Sequence, residues 1–452
     1  MENKKKTPVG FYFCSLAFTF ERFAFYSAKW LIAVFVVAKV ASGGLGLTPA
    51  DAAKMSANLV AWTYAAPLVG SFISDRFIGA RYLVPLGLIF MGAGYLVAWQ
   101  ATSATMINIM IVLVSIGTGL FKSQVSAITG RLFDDQKQLD SAFSIQYSYV
   151  NFGSFIGTTV LGVLAGVMGY SFCFLICAIM TFVYAFIFVC GWKFLGDAGK
   201  KPFKVDEHKE IKSEKEENKE EKRPLTSLEK KRVGAIILVS FFSIVFWLFW
   251  YLAYMPVYYY WGGDNGLANW MIGSFKVPTA WFDSLNALCC ITLGPVLGKV
   301  WAKLAKRPQG DMSMFKKTGL GMMLLGVSYI IFAMADVTRG DSLLPLAWLV
   351  VFGIVLSLGE MVFSPLGNSF IAKFSPGRVL TLMMSVWVLA SFFAAKCYGY
   401  LYEFTLKFKF APVYFTVAAI AIVCGLVLWA LDKKLNSLVI DEKEAHGESV
   451  NM

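Results

Sequence analysis

Apolar residues gather into stretches of about 20, long enough to cross roughly 30 Å of hydrocarbon as helix, with short polar connectors between them along the whole chain. Twelve such stretches are predicted as spanning helices, at roughly 11–38, 54–76, 82–101, 107–128, 142–167, 171–193, 234–258, 277–302, 314–335, 343–367, 379–402 and 411–431. Lys4, Lys5 and Lys6 precede the first stretch as they would in a secretory signal. That stretch is too long for a signal, carries charges and has no small-residue cleavage site, so it is read as a retained span. Residues 196–232 interrupt the pattern with a dense Lys/Glu run, "EHKEIKSEKEENKEEKR". Mixed charge without an apolar stripe predicts a solvated linker. The resulting domains are a six-helix bundle over 1–195, a charged cytoplasmic linker over 196–232, a second six-helix bundle over 233–432 and a cytoplasmic tail over 433–452.

Composition agrees with this pattern: 57% of the 452 residues are hydrophobic and 15% charged, which excludes an ordinary soluble globule. The net charge of +12 would suit a nucleic-acid ligand if it were gathered into one folded basic face. It lies instead between the spans, and the basic connectors fall on one side: Lys4–Lys6, Arg76 and Arg81, Arg131 and Lys137, Lys303 to Arg307, Lys373 and Arg378, Lys433 and Lys434. Cytoplasmic loops carry such an excess of Lys and Arg, so both termini are predicted to be cytoplasmic. The expectation is a multi-pass protein of a cell's inner membrane, embedded in lipid, with no nucleic-acid partner and acting as a monomer. The eight cysteines sit in or beside apolar segments without metal-ligand spacing, and are read as packing thiols.

Polar residues inside spans change the picture most. The first span contains "FTFERFAFYSAK", with Glu21, Arg22 and Lys29 where lipid would otherwise be met. Each such charge costs about 2.5–3.5 kcal/mol at the bilayer centre on insertion scales, so these groups are expected to face a bundle interior or a watery cavity. Lys122 on the fourth span and Asn151 on the fifth join them in the first half; Asp283 and Asn286 on the eighth, Glu360 on the tenth and Lys396 on the eleventh are their counterparts in the second. Bases dominate one half and acids the other. That division suits a zwitterion, its carboxylate met by Lys29 and Lys122 and its ammonium by Glu360, with Asn286 or Asp283 assisting. Among the many aromatics, Tyr26, Tyr64 and Trp247 are expected as pocket walls, Tyr26 sharing a face with Arg22 and Lys29.

Six spans, a charged loop and six more spans is the layout of the major facilitator fold, an all-α integral membrane architecture of two six-helix bundles with its site near the midplane. "GSFISDRFIGAR" resembles the signature loop of that superfamily, and Asp75, Arg76 and Arg81 are read as a conformational latch there. Five further motifs, "ERFAFY", "GTGLFKSQVSAITGRLF", "YSYVNFGS", "VPTAWFDSLNAL" and "GEMVFSPLGNSFIAKFSP", keep their order across both halves and resemble the proton-dependent oligopeptide transporter family. The resemblance implies import of di- and tripeptides by proton symport through alternating access, with protons as coupling ion and no other cofactor. It implies that Lys122 pairs with the span-one acid, that Tyr26, Lys29, Asn151, Asn286 and Glu360 line the peptide pocket, and that Trp387 and Ser391 lie in its span-eleven wall.

Departures from the family pattern are as informative. The span-one motif is Glu-x-x-Glu-Arg, yet Phe18 stands where its first Glu belongs, and in span seven Tyr251 stands about where a glutamate is usual. Asp283 and Ala287 replace the usual Gln and Pro of span eight. Arg22 must then lean on Glu21, about 100° around the helix, or on an acid from elsewhere. Glu21, facing Lys122, is expected to be the principal proton site, with Asp283 or Glu360 as second carriers. An uncoupled carrier, a carrier of another small zwitterion or anion such as an amino-acid derivative or nitrate, and a non-transporting peptide receptor are the alternatives. An enzyme is disfavoured: the two histidines, His208 and His446, lie in charged soluble segments, and no Walker-type phosphate loop is present.

Overall fold

The computed structural model of the protein describes residues 7–133, 136–202, 225–263, 265–308, 310–376 and 379–439. Most of the charged linker, the Lys4–Lys6 run, Arg378 and the end of the tail lie outside the described residues. Twelve helices of 20 residues or more follow one another: α1 Val9–Val37, α2 Pro49–Arg76, α3 Ala80–Trp99, α4 Ala104–Gly130, α5 Gln136–Met168, α6 Tyr170–Cys190, α7 Ser227–Leu252, α8 Trp281–Ala305, α9 Met314–Arg339, α10 Leu346–Phe374, α11 Leu380–Thr405 and α12 Phe410–Ala430. A short helix, α13 Asp432–Val439, ends the described chain. Among the described residues, ten of the twelve contain windows long and apolar enough to cross a membrane; α1 and α2 fall outside that set.

Local chemistry sets the helix ends. Thr48 and Asp51 form a reciprocal capping box at the start of α2, and Thr226 and Glu229 form another at the start of α7; each satisfies orphan amides of a first turn. Ser313 caps α9 through the Lys316 amide. After α7 the chain winds through Tyr254–Pro256 into a wide turn at Val257–Trp261, and Trp270 Nε1 donates to the Trp261 carbonyl at 2.8 Å.

Two compact units emerge, and they are not simply the two halves of the sequence. The first comprises Met1–Ser213 together with Met271–Ile291, the second Glu214–Trp270 together with Thr292–Met452. The first three turns of α8 therefore group with α1–α6. So does the hairpin that precedes them, β2 Met271–Ile272 paired antiparallel with β3 Phe275–Lys276. The other small sheet, β1 Ala268–Asn269 parallel to β4 Leu344–Pro345, belongs to the second unit.

In the first unit small residues let helices meet backbone to backbone. A Cβ at Gly157 of α5 would come within 2.5 Å of the Phe23 carbonyl of α1, and one at Gly153 would overlap the Thr19 carbonyl. A Cβ at Gly87 of α3 would likewise crowd the Gly117 carbonyl of α4. Such small-residue contacts replace the hydrophobic drive that lipid cannot supply. In the second unit Gly319 of α9 lies against Gly425 of α12, Tyr329 donates to the Phe249 carbonyl at 2.5 Å, and its ring stacks on Tyr414 at 5.7 Å.

Candidate functional site

Helix α1 carries most of the intramembrane charge, and its side chains are buried within the first unit rather than turned to lipid: Glu21 is 0% exposed, Arg22 6% and Lys29 3%. Arg22 holds Glu21 in a fork, Nε to Oε2 and Nη2 to Oε1, the latter at 2.6 Å. Two parallel charge-assisted bonds are the strong geometry for guanidinium and carboxylate. The guanidinium also lies 4.6 Å from the Phe25 ring centroid and 5.7 Å from that of Tyr26. Lys29, two turns on, places Nζ 5.9 Å from the same Tyr26 ring, so one aromatic face serves both cations.

Glu21 and Lys122, expected to meet, form no ion pair among the described residues, although the Glu21 charge is felt at Lys122. Both Glu21 oxygens are engaged by Arg22, whose fixed fork satisfies the carboxylate better than a point charge can. Lys122 of α4 instead sets its ammonium over the Tyr64 ring of α2, 5.3 Å from the centroid. No carboxylate of the described residues lies within ion-pair distance of it.

Lys29, expected to meet the substrate carboxylate, already holds an acid of the chain in this structure. Its Nζ donates to Asp283 Oδ1 at 3.2 Å, a buried ion pair between residues 254 apart in sequence. Asp283 stands in the first turn of α8, where the amide ends of the helix favour a negative charge. Hydrogen bonds around it hold the segment 279–284 against α1 and α5. Trp30 Nε1 donates to Thr279 at 3.0 Å, Thr158 and Thr159 reach Ser284 at 2.7 and 2.9 Å, and Trp281 Nε1 donates to the Thr159 carbonyl at 3.2 Å. Sequence reasoning missed these hydroxyl and indole groups. The threonine pair inside an apolar span, and Ser284 beside an intramembrane acid, were the signals that could have found them.

Phe18, in the place of the family's first glutamate, is 5% exposed and packs edge-on against Phe121 at 5.4 Å. Val84, Leu88, Val125, Tyr184 and Ala185 are among the other members of that apolar cluster. Asn151 of α5 donates its amide to the Tyr147 carbonyl of its own helix at 2.9 Å. Asn286 is half-buried, one turn after Asp283.

The second unit holds its candidates separately. Glu360 on α10 is 8% exposed. Tyr251 is buried and stacks on Tyr398 at 5.4 Å, while Trp247 packs on Phe246, Trp250 and Tyr251. Ser391 donates to the Trp387 carbonyl at 3.3 Å, and the Trp387 indole covers Gly367, where a Cβ would overlap it.

The loop read as a latch contributes unequally. Arg76 is exposed over the Phe72 ring at 4.4 Å, and Asp75 is half-buried. Arg81 is buried and fixes chain beyond α6 rather than bridging to a carboxylate: its Nη2 donates to the Gly196 carbonyl and, at 3.0 Å, to that of Ala198. The Arg81 amide adds a bond to the Gly199 carbonyl at 3.0 Å.

Comparison with known proteins gives one consistent neighbourhood. The sequence model of the Major Facilitator Superfamily matches residues 18–395. The chain is 26% identical over 449 residues to "Uncharacterized transporter YclF" of Bacillus subtilis, covering 91% of each chain. It is 25% identical over 475 residues to the "Di-/tripeptide transporter" of Lactococcus lactis subsp. cremoris, covering 93% of this chain and 94% of that one. Among solved structures, a crystal structure of a peptide transporter POT in complex with sulfate superposes with a TM-score of 0.86 at 25% identity, covering 96% of both chains.

Proposed function

The chain belongs to the Major Facilitator Superfamily, and from that premise we propose that it is a multi-pass membrane transporter that imports di- and tripeptides by alternating access, coupled to protons. The relatives named for di- and tripeptides and for peptide transport support the substrate class. The observation that carries the reading to this chain is Lys122. Among the described residues Glu21 is ion-paired with Arg22 and Lys29 with Asp283, whereas Lys122 rests on the Tyr64 ring with no carboxylate at ion-pair distance. A buried-side ammonium is expensive to leave unmatched, so it favours an anionic group brought by a ligand. The carboxylate end of a peptide is such a group, with Lys29 as the second base expected to meet it. In the second unit the acid suited to the peptide's ammonium is Glu360. We place both termini in the cytoplasm of a cell whose inner membrane holds the protein, on the one-sided distribution of Lys and Arg in the connectors.

Reconstitution in proteoliposomes tests the reading. A labelled dipeptide should accumulate when the proton gradient is directed inward and only equilibrate without it. Equal accumulation in both conditions refutes symport, and binding without counterflow refutes transport. Lys122→Gln should weaken binding of free-carboxylate dipeptides about 10-fold or more, the scale of one charge-assisted bond, and leave the weaker binding of dipeptide amides unchanged. A thermal-shift panel of dipeptides, tripeptides, amino acids and nitrate then fixes the substrate class.

A further inference from the structure

We propose that Asp283, rather than Glu21, is the carboxylate that takes up the coupling proton, and that it does so when a peptide carboxylate draws Lys29 away from it. The assignment rests on the reading of the chain as a proton-coupled peptide carrier. Two intramembrane ion pairs of the first unit could exchange a proton, and their construction differs. Glu21 is completely buried and gripped through both oxygens by the adjacent Arg22. Arginine keeps its charge throughout the accessible pH range, so protonating Glu21 would strand a buried guanidinium beside a neutral acid.

The pair of Lys29 and Asp283 is built to open. Its two members come from separate segments, and Nζ meets Oδ1 at 3.2 Å. Lysine is a point charge on a flexible stem, able to turn toward a second carboxylate without losing a fork geometry. The surroundings of Asp283 within the unit are of mixed chemistry. Helix α1 supplies Lys29, with Tyr26, Arg22 and Glu21 one and two turns earlier; α5 supplies the hydroxyls of Thr158 and Thr159; its own segment supplies Ser284 and Asn286.

A peptide carboxylate at Lys29 would leave Asp283 a buried anion facing its own former counter-charge, now shared. One proton added to an Asp283 carboxylate oxygen removes that charge, and the sum over Lys29, Asp283 and the peptide carboxylate returns to zero. No bond of the peptide is made or broken. Because binding linkage is reciprocal, a proton that favours the peptide is favoured by the peptide to the same degree. The hydrogen bonds of Trp30 to Thr279 and of Thr158 and Thr159 to Ser284 keep the backbone of the segment in place while the ion pair exchanges partners.

The test measures protons directly. Full-length protein purified in detergent is mixed with saturating dialanine in weak buffer containing a pH-indicating dye, and proton uptake is read per peptide bound. Wild type should take up about one proton per peptide, as the linkage above requires. Asp283→Asn should bind dialanine with that uptake lost, and Asp283→Glu should recover it. The paired variant Glu21→Gln/Arg22→Gln should keep the uptake. If Asp283→Asn does not fold, Asp283→Gln, which keeps Lys29 and an uncharged hydrogen-bonding side chain, is read in the same way and should show the same loss. Uptake by an Asp283→Asn chain equal to wild type overturns the assignment, as does wild-type binding without proton uptake. Absence of any dialanine binding by wild type overturns the carrier reading and this assignment with it.

Discussion

Restoring the acid that the family motif lacks here should damage the protein rather than repair it. In Phe18→Glu the new side chain enters the apolar cluster of Val84, Leu88, Phe121, Val125 and Tyr184, where Phe18 is 5% exposed. Loss of the buried ring removes about 1.5–3 kcal/mol, and loss of the edge-on contact with Phe121 removes about 0.5–1.5 kcal/mol more. A carboxyl buried there without a partner adds about 1–3 kcal/mol. Arg22, one turn on, cannot relieve it, since both arms of its fork are already on Glu21. Together the penalty is about 3–7.5 kcal/mol. Thermal unfolding of the detergent-purified variant should show a clear drop in midpoint, while Phe18→Leu, which keeps the site apolar and buries no carboxyl, should show a smaller one. A Phe18→Glu chain as stable as wild type would refute the reasoning. So would larger peptide-driven proton uptake, because position 18 would then be wet and coupled rather than packed.

Two other perturbations follow from contacts in the first unit. Arg81→Ala removes the donors to the Gly196 and Ala198 carbonyls and should destabilise the protein by about 1.5–3 kcal/mol, the range for a bond to a charged group; limited proteolysis should show faster cleavage between residues 196 and 202. Gly157→Val places carbon within 2.5 Å of the Phe23 carbonyl or nearer, so α1 and α5 must separate. Expression of folded protein, followed by size-exclusion chromatography, should collapse for Gly157→Val and survive at Gly166, where a Cβ meets nothing within 4 Å.

Much of the architecture was legible because lipid imposes it: a span must satisfy its own backbone, so hydropathy alone marks helices. The charged positions in α1 were legible for the same reason, since Glu21, Arg22 and Lys29 are conspicuous in an apolar run. Their partners were not. Neighbours in sequence suggested Glu21 for Arg22, and the structure has that pair, but nothing in the order of residues says that the fork occupies both Glu21 oxygens. Lys29 finds its acid 254 residues away, a distance over which periodicity carries no information. Arg81 illustrates a second blind spot, because backbone carbonyls accept hydrogen bonds whatever side chains they bear. The grouping of Met271–Ile291 with the first unit was equally hidden, since six spans on either side of a charged loop suggest a division at the loop alone.

The glycine contacts between α1 and α5 turn α1 into a keyed shaft. With Gly153 against the Thr19 carbonyl and Gly157 against that of Phe23, rotation or sliding of α1 would drive backbone into backbone. The bearings of Phe18, Arg22, Tyr26 and Lys29 around that helix are therefore locked together. Chemistry along α1 must run on rotamer changes and on what approaches the helix, and a single inserted residue between positions 12 and 17 would leave the key in its slot while throwing everything before it about 100° out of register.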